Sequence, residues 1–332
     1  MTRCAVIGAG AWGTALADLM ATSGHDVHIW AYETDVVQSI NDVHENRRFL
    51  AGARLSEQLI ATNEQPVALE GAELVLYATP SNHLRSIARA AASCVQPGAI
   101  LAVASKGIEL GSMALMTDVI ASEVPNHSVV ALSGPSFAAE VAAKQPTAVV
   151  AASDTPDAAL FVQEAMSSRT FRIYTHDDVV GVELGGALKN VMAVATGILE
   201  GVGLGFNSRA ALITRGLAEM TRLGTSLGAR PATFAGLAGI GDLVLTCTGA
   251  LSRNRALGVE IGQGKTLDEA RAGKETVAEG VVTTASTIEL AAREGVEMPI
   301  AEMVYRILFD HHSAKLAAQE LMMRELRPEQ DA

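Results

Sequence analysis

Positively charged residues are scarce in this chain. Its 332 residues include 25 Lys and Arg against 37 Asp and Glu, which gives a formal net charge of -12 at pH 7. Such a charge repels nucleic acid and anionic membrane surfaces, so we predict neither as a partner. Any anionic ligand must then be held by a few local cations.

Cysteine is almost absent as well. Cys4, Cys94 and Cys247 are odd in number and far apart, which argues against a disulfide framework or a zinc site and fits a reducing compartment. The eight histidines lack ligand spacing, so we predict no metal site. We also expect no signal peptide, and we see no charge-free apolar run of about 18 residues. We therefore expect a cytoplasmic protein without stable membrane insertion.

Apolar runs alternate with helix-length segments over the first half of the chain. The runs lie at residues 3–8, 26–31, 73–80, 99–107, 128–135, 147–153 and 171–175. Because they do not alternate between apolar and polar residues, they predict strands of a parallel sheet covered by helices on both faces. After residue 178 the patterns are all helical. We predict a doubly wound α/β domain over residues 1–179 and a helical domain over residues 180–332.

A glycine turn follows the first predicted strand and opens a helix. Gly8, Gly10 and Gly13 form the pattern G-x-G-x-x-G. In such turns the first glycine permits a tight turn, the second lets the backbone approach a pyrophosphate, and the third lets the helix pack closely on the strand. The pattern in this place predicts dinucleotide binding, with a purely structural glycine turn as the alternative.

The residues that would read the cofactor ribose leave the choice between NAD and NADP open. Glu33, beside Tyr32, lies about 20 residues beyond the glycine turn, where an acid favours NAD because it repels a 2′-phosphate. Arg47 and Arg48 follow in a nearby loop and could offset that repulsion. An ordinary solvated loop is the alternative for all four residues.

Two lysines lie where a catalytic cation is expected. Lys106 follows a predicted strand at the carboxyl edge of the sheet, where ligands bind in open α/β folds. Lys189 shares one face of an apolar helix with small residues, including Gly185 and Gly186. Burial and a neighbouring cation both lower the pKa of a lysine, as a general base near neutral pH requires. A lysine that extends from a structural helix to solvent is the alternative.

Polar residues among glycines in the segment 236–258 predict an anion site. Ser252, Arg253 and Asn254 open a helical stretch, so side-chain donors and free N–H groups can converge on an anion. In the same segment Asp242, with Thr246 nearby, could orient a lysine ammonium or bind a substrate hydroxyl. A polar helix cap with surface arginines is the alternative.

These segments together resemble the bacterial NAD(P)-dependent glycerol-3-phosphate dehydrogenases. The matching stretches run in order along almost the whole chain and include GAGAWGTALA (8–17), LSGPSFAAEVA (132–142), LGGALKN (184–190) and GLAGIGDLVLTCTGALSRNRALG (236–258). The resemblance implies a Rossmann-like domain and a helical domain similar to that of 6-phosphogluconate dehydrogenase. It also implies interconversion of glycerol 3-phosphate and dihydroxyacetone phosphate, for phospholipid synthesis.

The resemblance also implies the site residues. It makes Lys189 the proton acceptor, and we expect Lys106 and Asp242 to orient the substrate hydroxyl and tune that lysine. The predicted substrate site comprises Lys106, Gly134, Ser136, Lys189, Asn190, Asp242, Thr246, Ser252, Arg253 and Asn254. The predicted cofactor site comprises Gly8, Gly10, Ala11, Trp12, Gly13, Tyr32, Lys106, Ala138, Arg253, Val277 and Glu279. Family members often have Ser in place of Ala11 and a basic residue in place of Tyr32.

Two other functions stay open at this point. A related dehydrogenase for a β-hydroxy acid or ketopantoate would need a carboxylate clamp instead of the phosphate site at Ser252–Asn254. A protein that senses NAD(H) without catalysis would have no use for Lys106, Lys189 and Asp242 together. Whether the chain forms a homodimer is also left open.

Overall fold

The computed structural model describes residues 1–273, 278–326 and 328–329. Its first half is built on one eight-stranded sheet with the strand order β3-β2-β1-β4-β5-β6-β7-β8. The strands are β1 Arg3–Ile7, β2 Asp26–Trp30, β3 Ile60–Thr62, β4 Leu74–Tyr77, β5 Ile100–Val103, β6 Val129–Ser133, β7 Thr147–Ala152 and β8 Phe171–His176. The direction of strand addition reverses between β1 and β4, and ligands of open α/β sheets bind at the carboxyl ends of the strands at such a point.

Helices cover both faces of the sheet. They are α1 Ala11–Thr22, α2 Thr34–Val43, α3 Gln65–Leu69, α4 Leu84–Ala91, α5 Met116–Glu123, α6 Ala138–Ala142 and α7 Pro156–Met166. Neighbouring residues of β1 show the two faces: Val6 packs into an apolar cluster with Leu16 of α1, and Ile7 into another with Leu84 of α4. Burial of both faces explains why the strands read as continuous apolar runs.

The predicted strands are all present, but two features of the sheet differ from expectation. β7 runs antiparallel to β6, while the other neighbouring strands are parallel, so the prediction of a wholly parallel sheet was wrong for this pair. β3 was not predicted, because its three residues at the edge of the sheet form no apolar run.

The described residues after β8 form helices and no strand. These helices are α8 Val179–Gly201, α9 Phe206–Ser226, α10 Pro231–Phe234, α11 Asp242–Thr248, α12 Arg253–Gly262, α13 Leu267–Arg271, α14 Glu279–Glu294, α15 Pro299–Phe309 and α16 Ala314–Met322, with a π-helical turn at Leu237–Gly241. Val179–Gly201 and Pro231–Thr248 are each long and apolar enough to cross a membrane by length and composition, which is weak evidence for a span. The apolar stretch of α8 is 89% buried inside the protein, as a core helix is.

Glycines let α12 lie directly against α8. A Cβ atom on Gly197 would come within 2.9 Å of the Gly258 Cα, and a Cβ on Gly258 would come within 2.9 Å of the Gly197 Cα. The two backbones therefore touch, which a larger side chain on either helix would prevent. This contact fixes α12 beside the helix that carries Lys189.

Candidate active site

Lys189 lies in the middle of α8, and its ammonium is enclosed by polar groups of α11. Its side chain donates to Asp242 Oδ1 and to Thr246 Oγ1, the latter at 2.9 Å. Asp242 is completely buried and Lys189 is 8% exposed. The π-helical turn ends directly before Asp242, and it fits against α8 because a Cβ on Gly185 would collide with the Ala238 carbonyl. Such irregular turns are frequent at functional sites.

Lys106 reaches the same carboxylate from the sheet. It lies in the loop after β5, and its Nζ is 2.6 Å from Asp242 Oδ2 and 3.1 Å from the Gly134 carbonyl oxygen. A Cβ on Gly186 would lie 3.5 Å from Lys106 Cδ and would collide with Ser133 Oγ. The small residues on this face of α8 therefore leave room for the lysine from the sheet.

The surroundings of Lys189 favour loss of its proton near neutral pH. Burial lowers its pKa from 10.5 to about 8, and the positive charge of Lys106 acts in the same direction. The carboxylate of Asp242 opposes this shift. An amine with a pKa near 8 can both accept and donate a proton at physiological pH.

The N-terminus of α12 has one arginine available for an anion. The Arg253 side chain is exposed and makes no hydrogen bond or ion pair with another described side chain, although its charge opposes the rise in the pKa of Glu279. Arg255, in contrast, is held by both carboxylate oxygens of Glu200, at 2.8 and 3.0 Å. Ser252 caps the helix by accepting a hydrogen bond from the Arg255 backbone N–H.

The two predicted asparagines bind each other. Asn254 Nδ2 donates to Asn190 Oδ1 at 2.9 Å, and Asn254 Oδ1 accepts from the Gly280 N–H at 2.9 Å. The Asn254 side chain therefore joins the starts of α12 and α14 to α8. Asn254 is also predicted to bind the substrate. Because of these two hydrogen bonds, only its second amide hydrogen and its backbone remain for that contact.

The turn after β6 completes one wall of the site. The Gly134 carbonyl accepts hydrogen bonds from Lys106 and from the Ser136 hydroxyl, the latter at 3.0 Å. Gly134 has φ of +140°, and a Cβ there would lie 2.9 Å from the Val149 Cα. Glycine is therefore required for both conformation and space.

The glycine turn at the carboxyl end of β1 fits a pyrophosphate. A Cβ on Gly10 would meet no atom within 4 Å, and no side chain caps the N-terminus of α1. Open space beside free helix N–H groups is the arrangement that binds phosphate. Gly8 has φ of +116°, and a Cβ on Gly13 would collide with the Gly8 carbonyl. Ala11 and Trp12, also predicted to line the cofactor, lie in the first turn of α1.

One residue that supports this turn was not predicted. Asn46 is buried and donates to the Ala9 carbonyl and to Thr14 Oγ1, both at 2.8 Å. It lies in the HENRRFLAG stretch at 44–52. Because Asn46 precedes two arginines, its residue type alone does not distinguish a buried asparagine from one in an exposed loop.

The residues near the predicted ribose position lie on the surface. Tyr32 is 82% exposed, and Glu33 is the residue directly before α2. Arg47 pairs with Glu45 at 3.4 Å and Arg48 with Asp35 at 3.3 Å. The arginines therefore have carboxylate partners, and these contacts leave the choice between NAD and NADP open.

The other predicted cofactor residues lie at helix starts. Ala138 begins α6 and Glu279 begins α14, while Val277 lies outside the described residues. Glu279 Oε2 accepts a hydrogen bond from the Ser81 hydroxyl, 2.7 Å away in the turn after β4. Burial raises the pKa of Glu279, and the hydrogen bond from Ser81 opposes that shift. Ser81 was not predicted as part of the site.

Two family models cover most of the chain. The model for the N-terminus of NAD-dependent glycerol-3-phosphate dehydrogenase matches residues 3–159, and the model for its C-terminus matches residues 178–319. The chain belongs to the NAD-dependent glycerol-3-phosphate dehydrogenase family. The predicted α/β class with a helical second half and the predicted NAD(P)-dependent oxidoreductase activity are thereby confirmed.

Individual relatives agree along the full length. The glycerol-3-phosphate dehydrogenases [NAD(P)+] of Citrifermentans bemidjiense and Geobacter sulfurreducens are each 52% identical over 330 residues, which cover 98% of this chain and of theirs. The crystal structure of glycerol-3-phosphate dehydrogenase from Coxiella burnetii is 40% identical, with a TM-score of 0.94 over 97% of this chain and 99% of that one. A ketopantoate reductase from Ralstonia eutropha, covering 96% of this chain and 99% of its own, shares the fold at 15% identity and a TM-score of 0.63. The prediction of glycerol-3-phosphate dehydrogenase is thus confirmed over the ketopantoate-type alternative.

Proposed function

We propose that this dehydrogenase interconverts sn-glycerol 3-phosphate and dihydroxyacetone phosphate at the cluster of Lys106, Lys189 and Asp242. The observation that carries the proposal is the buried Asp242 carboxylate, which holds one lysine on each oxygen. A buried carboxylate between two ammonium groups places a proton acceptor and a fixed cation a few ångströms apart.

In this proposal Lys189 exchanges the proton of the C2 hydroxyl. Neutral Lys189 accepts that proton during oxidation, and the ammonium returns it to the carbonyl oxygen during reduction. Asp242 and Thr246 keep the Nζ in place in both states through the hydrogen bonds that they make with it. Bound NAD(P) supplies the hydride acceptor or donor at C2.

Lys106 has an electrostatic role. Its ammonium is anchored by Asp242 and the Gly134 carbonyl, so it can face the C2 oxygen without reorganising. A fixed cation beside an oxygen that gains negative charge stabilises the transition state. Lys106 also keeps the pKa of Lys189 low.

The substrate phosphate would lie at the N-terminus of α12. Arg253 provides the charge there, and the first N–H groups of the helix provide further donors. Ser252 caps this helix start, and Asn254 holds it against Asn190 of α8 and Gly280 of α14. A chain with a net charge of -12 needs such a local cation to bind a phosphate.

The cofactor would extend from the glycine turn to the lysines. The N–H groups at Gly10–Gly13 would hold the pyrophosphate, and Ala138, Arg253 and Glu279 would line the rest of the cleft. Their support is position: they are the first residues of α6, α12 and α14. The hydrogen bond from Ser81 to Glu279 also places the start of α14 beside the turn after β4.

We also propose the wider setting of the enzyme. The last strand ends at His176 and α8 begins at Val179, which supports a cofactor domain over residues 1–179 and a substrate domain over residues 180–332. The free cysteines of the chain, Cys4, Cys94 and Cys247, support a cytoplasmic location. Its proposed product would supply phospholipid synthesis.

A direct assay tests the proposed substrate. Initial rates should be measured with dihydroxyacetone phosphate and with ketopantoate, each with NADH and NADPH in turn. We expect turnover with the phosphate substrate and none with ketopantoate. We expect the Lys189→Met variant to stay folded and to lose most of this turnover. Faster turnover of ketopantoate, or near-normal turnover by folded Lys189→Met, would contradict the proposal.

A further inference from the structure

A second buried carboxylate lies on α8, outside the proposed site. Glu183 is 8% exposed and precedes Lys189 by six residues. Its Oε1 accepts a hydrogen bond from the Thr117 backbone N–H at 2.9 Å, and its Oε2 accepts one from the Thr117 hydroxyl. The reaction proposed above gives Glu183 no role.

The partner of Glu183 lies at the end of the loop that carries Lys106. Thr117 is the second residue of α5, so the carboxylate satisfies a free N–H group at the start of this helix. The loop between β5 and α5 begins at residue 104 and contains Lys106 near its start. Glu183 therefore joins the helix of one lysine to the loop of the other.

The loop is closed at its base. Ile108 and Leu115 form a β-bridge, and the Glu109 N–H donates to the Ala114 carbonyl at 3.0 Å. Because the two ends of the loop are bonded to each other, a shift at the start of α5 moves the segment next to Lys106 as well. Glu183 and Lys106 also line one small cavity together with Ser133.

The outer side of the loop is held separately. Glu109 accepts two hydrogen bonds from Arg85, at 2.7 and 2.8 Å. This ion pair joins two residues of the α/β half of the molecule and does not hold the loop in place relative to α8. The hydrogen bonds between Thr117 and Glu183 connect the end of the loop to α8.

We propose that Glu183 is a positioning residue, which sets the place of Lys106 relative to Lys189 and Asp242 by holding Thr117 at the start of α5. The inference rests on the proposed function of Lys106. Both lysines are then placed from one rigid helix, Lys189 directly and Lys106 through the bonded loop. Displacement of a catalytic group by about 1 Å can cost on the order of a hundredfold in rate.

Thr117→Val tests this inference, with Thr117→Ser as the matched control. Valine keeps the shape of threonine and removes the hydroxyl that Glu183 binds, whereas serine keeps the hydroxyl. We expect Thr117→Val to raise the KM for dihydroxyacetone phosphate and to lower kcat/KM about tenfold. We expect Thr117→Ser to match the original enzyme.

The pH profile separates positioning from a merely structural role. Lys106 lowers the pKa of Lys189 while Asp242 raises it, so a displaced Lys106 should move the basic limb of dihydroxyacetone phosphate reduction to higher pH. A loss of stability alone would leave that limb in place. Glu183→Gln, which keeps an oxygen acceptor for the Thr117 N–H, should give a smaller change of the same sign and serves if Thr117→Val does not fold.

The Thr117→Val substitution in a Lys106→Met enzyme shows whether its effect on kcat/KM passes through Lys106. If Thr117 acts through Lys106, Thr117→Val should lower kcat/KM no further in that background. The inference would be overturned if Thr117→Val lowered kcat/KM in the Lys106→Met background as much as in the original enzyme. It would also be overturned if Thr117→Val left both the kinetics and the basic pH limb of the original enzyme unchanged. A Lys106→Met enzyme with undiminished kcat/KM would instead overturn the proposed role of Lys106.

Discussion

Lys106 and Lys189 bind opposite oxygens of the Asp242 carboxylate, one from the loop after β5 and one from the middle of α8. Two ammonium groups held this close, one of them buried, repel each other. Burial of Lys189 adds to this repulsion, so its ammonium gives up its proton more readily than that of a solvent-exposed lysine. The arrangement explains how a single buried aspartate can serve a proton acceptor and a fixed cation together.

The glycine turn predicts a difference between two alanine variants. Gly10→Ala should fold normally, since the added Cβ meets no atom within 4 Å, but it should weaken NADH binding by about tenfold or more because the methyl group occupies the proposed phosphate position. Gly13→Ala should be less stable by about 1–3 kcal/mol, because its Cβ collides with the Gly8 carbonyl. Thermal melts and titration of NADH fluorescence measure both. Equal NADH affinity in Gly10→Ala and the original enzyme would contradict the assignment.

Two neighbouring arginines should respond differently to substitution. Arg253→Met should raise the KM for dihydroxyacetone phosphate by about 10–100-fold, as expected for loss of one charge-assisted contact to an anion. Arg255→Met is the matched control, because Arg255 is already paired with Glu200 and should affect stability instead. Steady-state kinetics and melting temperatures of both variants test this. A larger KM effect from Arg255→Met would contradict the proposed phosphate site.

Much of this fold could be predicted because burial leaves a direct trace in the sequence. A strand covered on both faces must be apolar at every position, as Cys4–Ile7 of β1 is, and a glycine pattern marks the turn after it. Strand direction leaves no such trace: Thr147–Ala152 of β7 reads as an apolar run, as the parallel strands β4 and β5 do, yet it lies antiparallel to β6. The short edge strand Ile60–Thr62 also escapes, because it has three residues and one is exposed.

The site was predictable where residue type and position coincide. Lys106, Lys189 and Asp242 are charged residues in apolar or glycine-rich surroundings, so their convergence could be anticipated. Ser81, Asn46 and Thr117 are small polar residues of a kind found in any loop. Their importance comes from a single partner far away in sequence, such as Glu279 for Ser81, and one sequence does not reveal such a pair. Their roles, like those of the predicted site residues, stay predictions until variants are measured.

A buried glutamate in the helical half should make stability depend on pH. Glu219 of α9 accepts hydrogen bonds from the N–H groups of Ile300 and Ala301 at the start of α15, and burial raises its pKa from 4.5 to about 7. The folded chain therefore keeps a proton that the unfolded chain releases between pH 4.5 and 7. The stabilisation from this group is present below pH 4.5 and is lost as the pH rises to 7.

Glu219→Gln removes this titration while keeping an oxygen acceptor. The melting temperature of the variant relative to the original enzyme should rise from pH 5 to pH 8, by up to about 1.4 kcal/mol in relative stability per pH unit. Glu164→Gln, at an exposed position of α7, is the control and should show no such trend, because Glu164 does not act on the pKa of Glu219. A difference in melting temperature that stays constant with pH would argue against the buried, proton-binding carboxylate.

The pH dependence of kcat/KM in the two reaction directions tests the role of Lys189 most directly. Reduction of dihydroxyacetone phosphate needs protonated Lys189 and should decline above about pH 8, whereas oxidation of glycerol 3-phosphate needs the neutral amine and should increase towards the same pH. Profiles measured between about pH 6.5 and 9.5, with Lys189→Met as the reference, should show these two opposite limbs in the original enzyme and neither of them in the variant. Limbs of the same sign in both directions, or limbs that persist in a folded Lys189→Met enzyme with measurable turnover, would contradict the account.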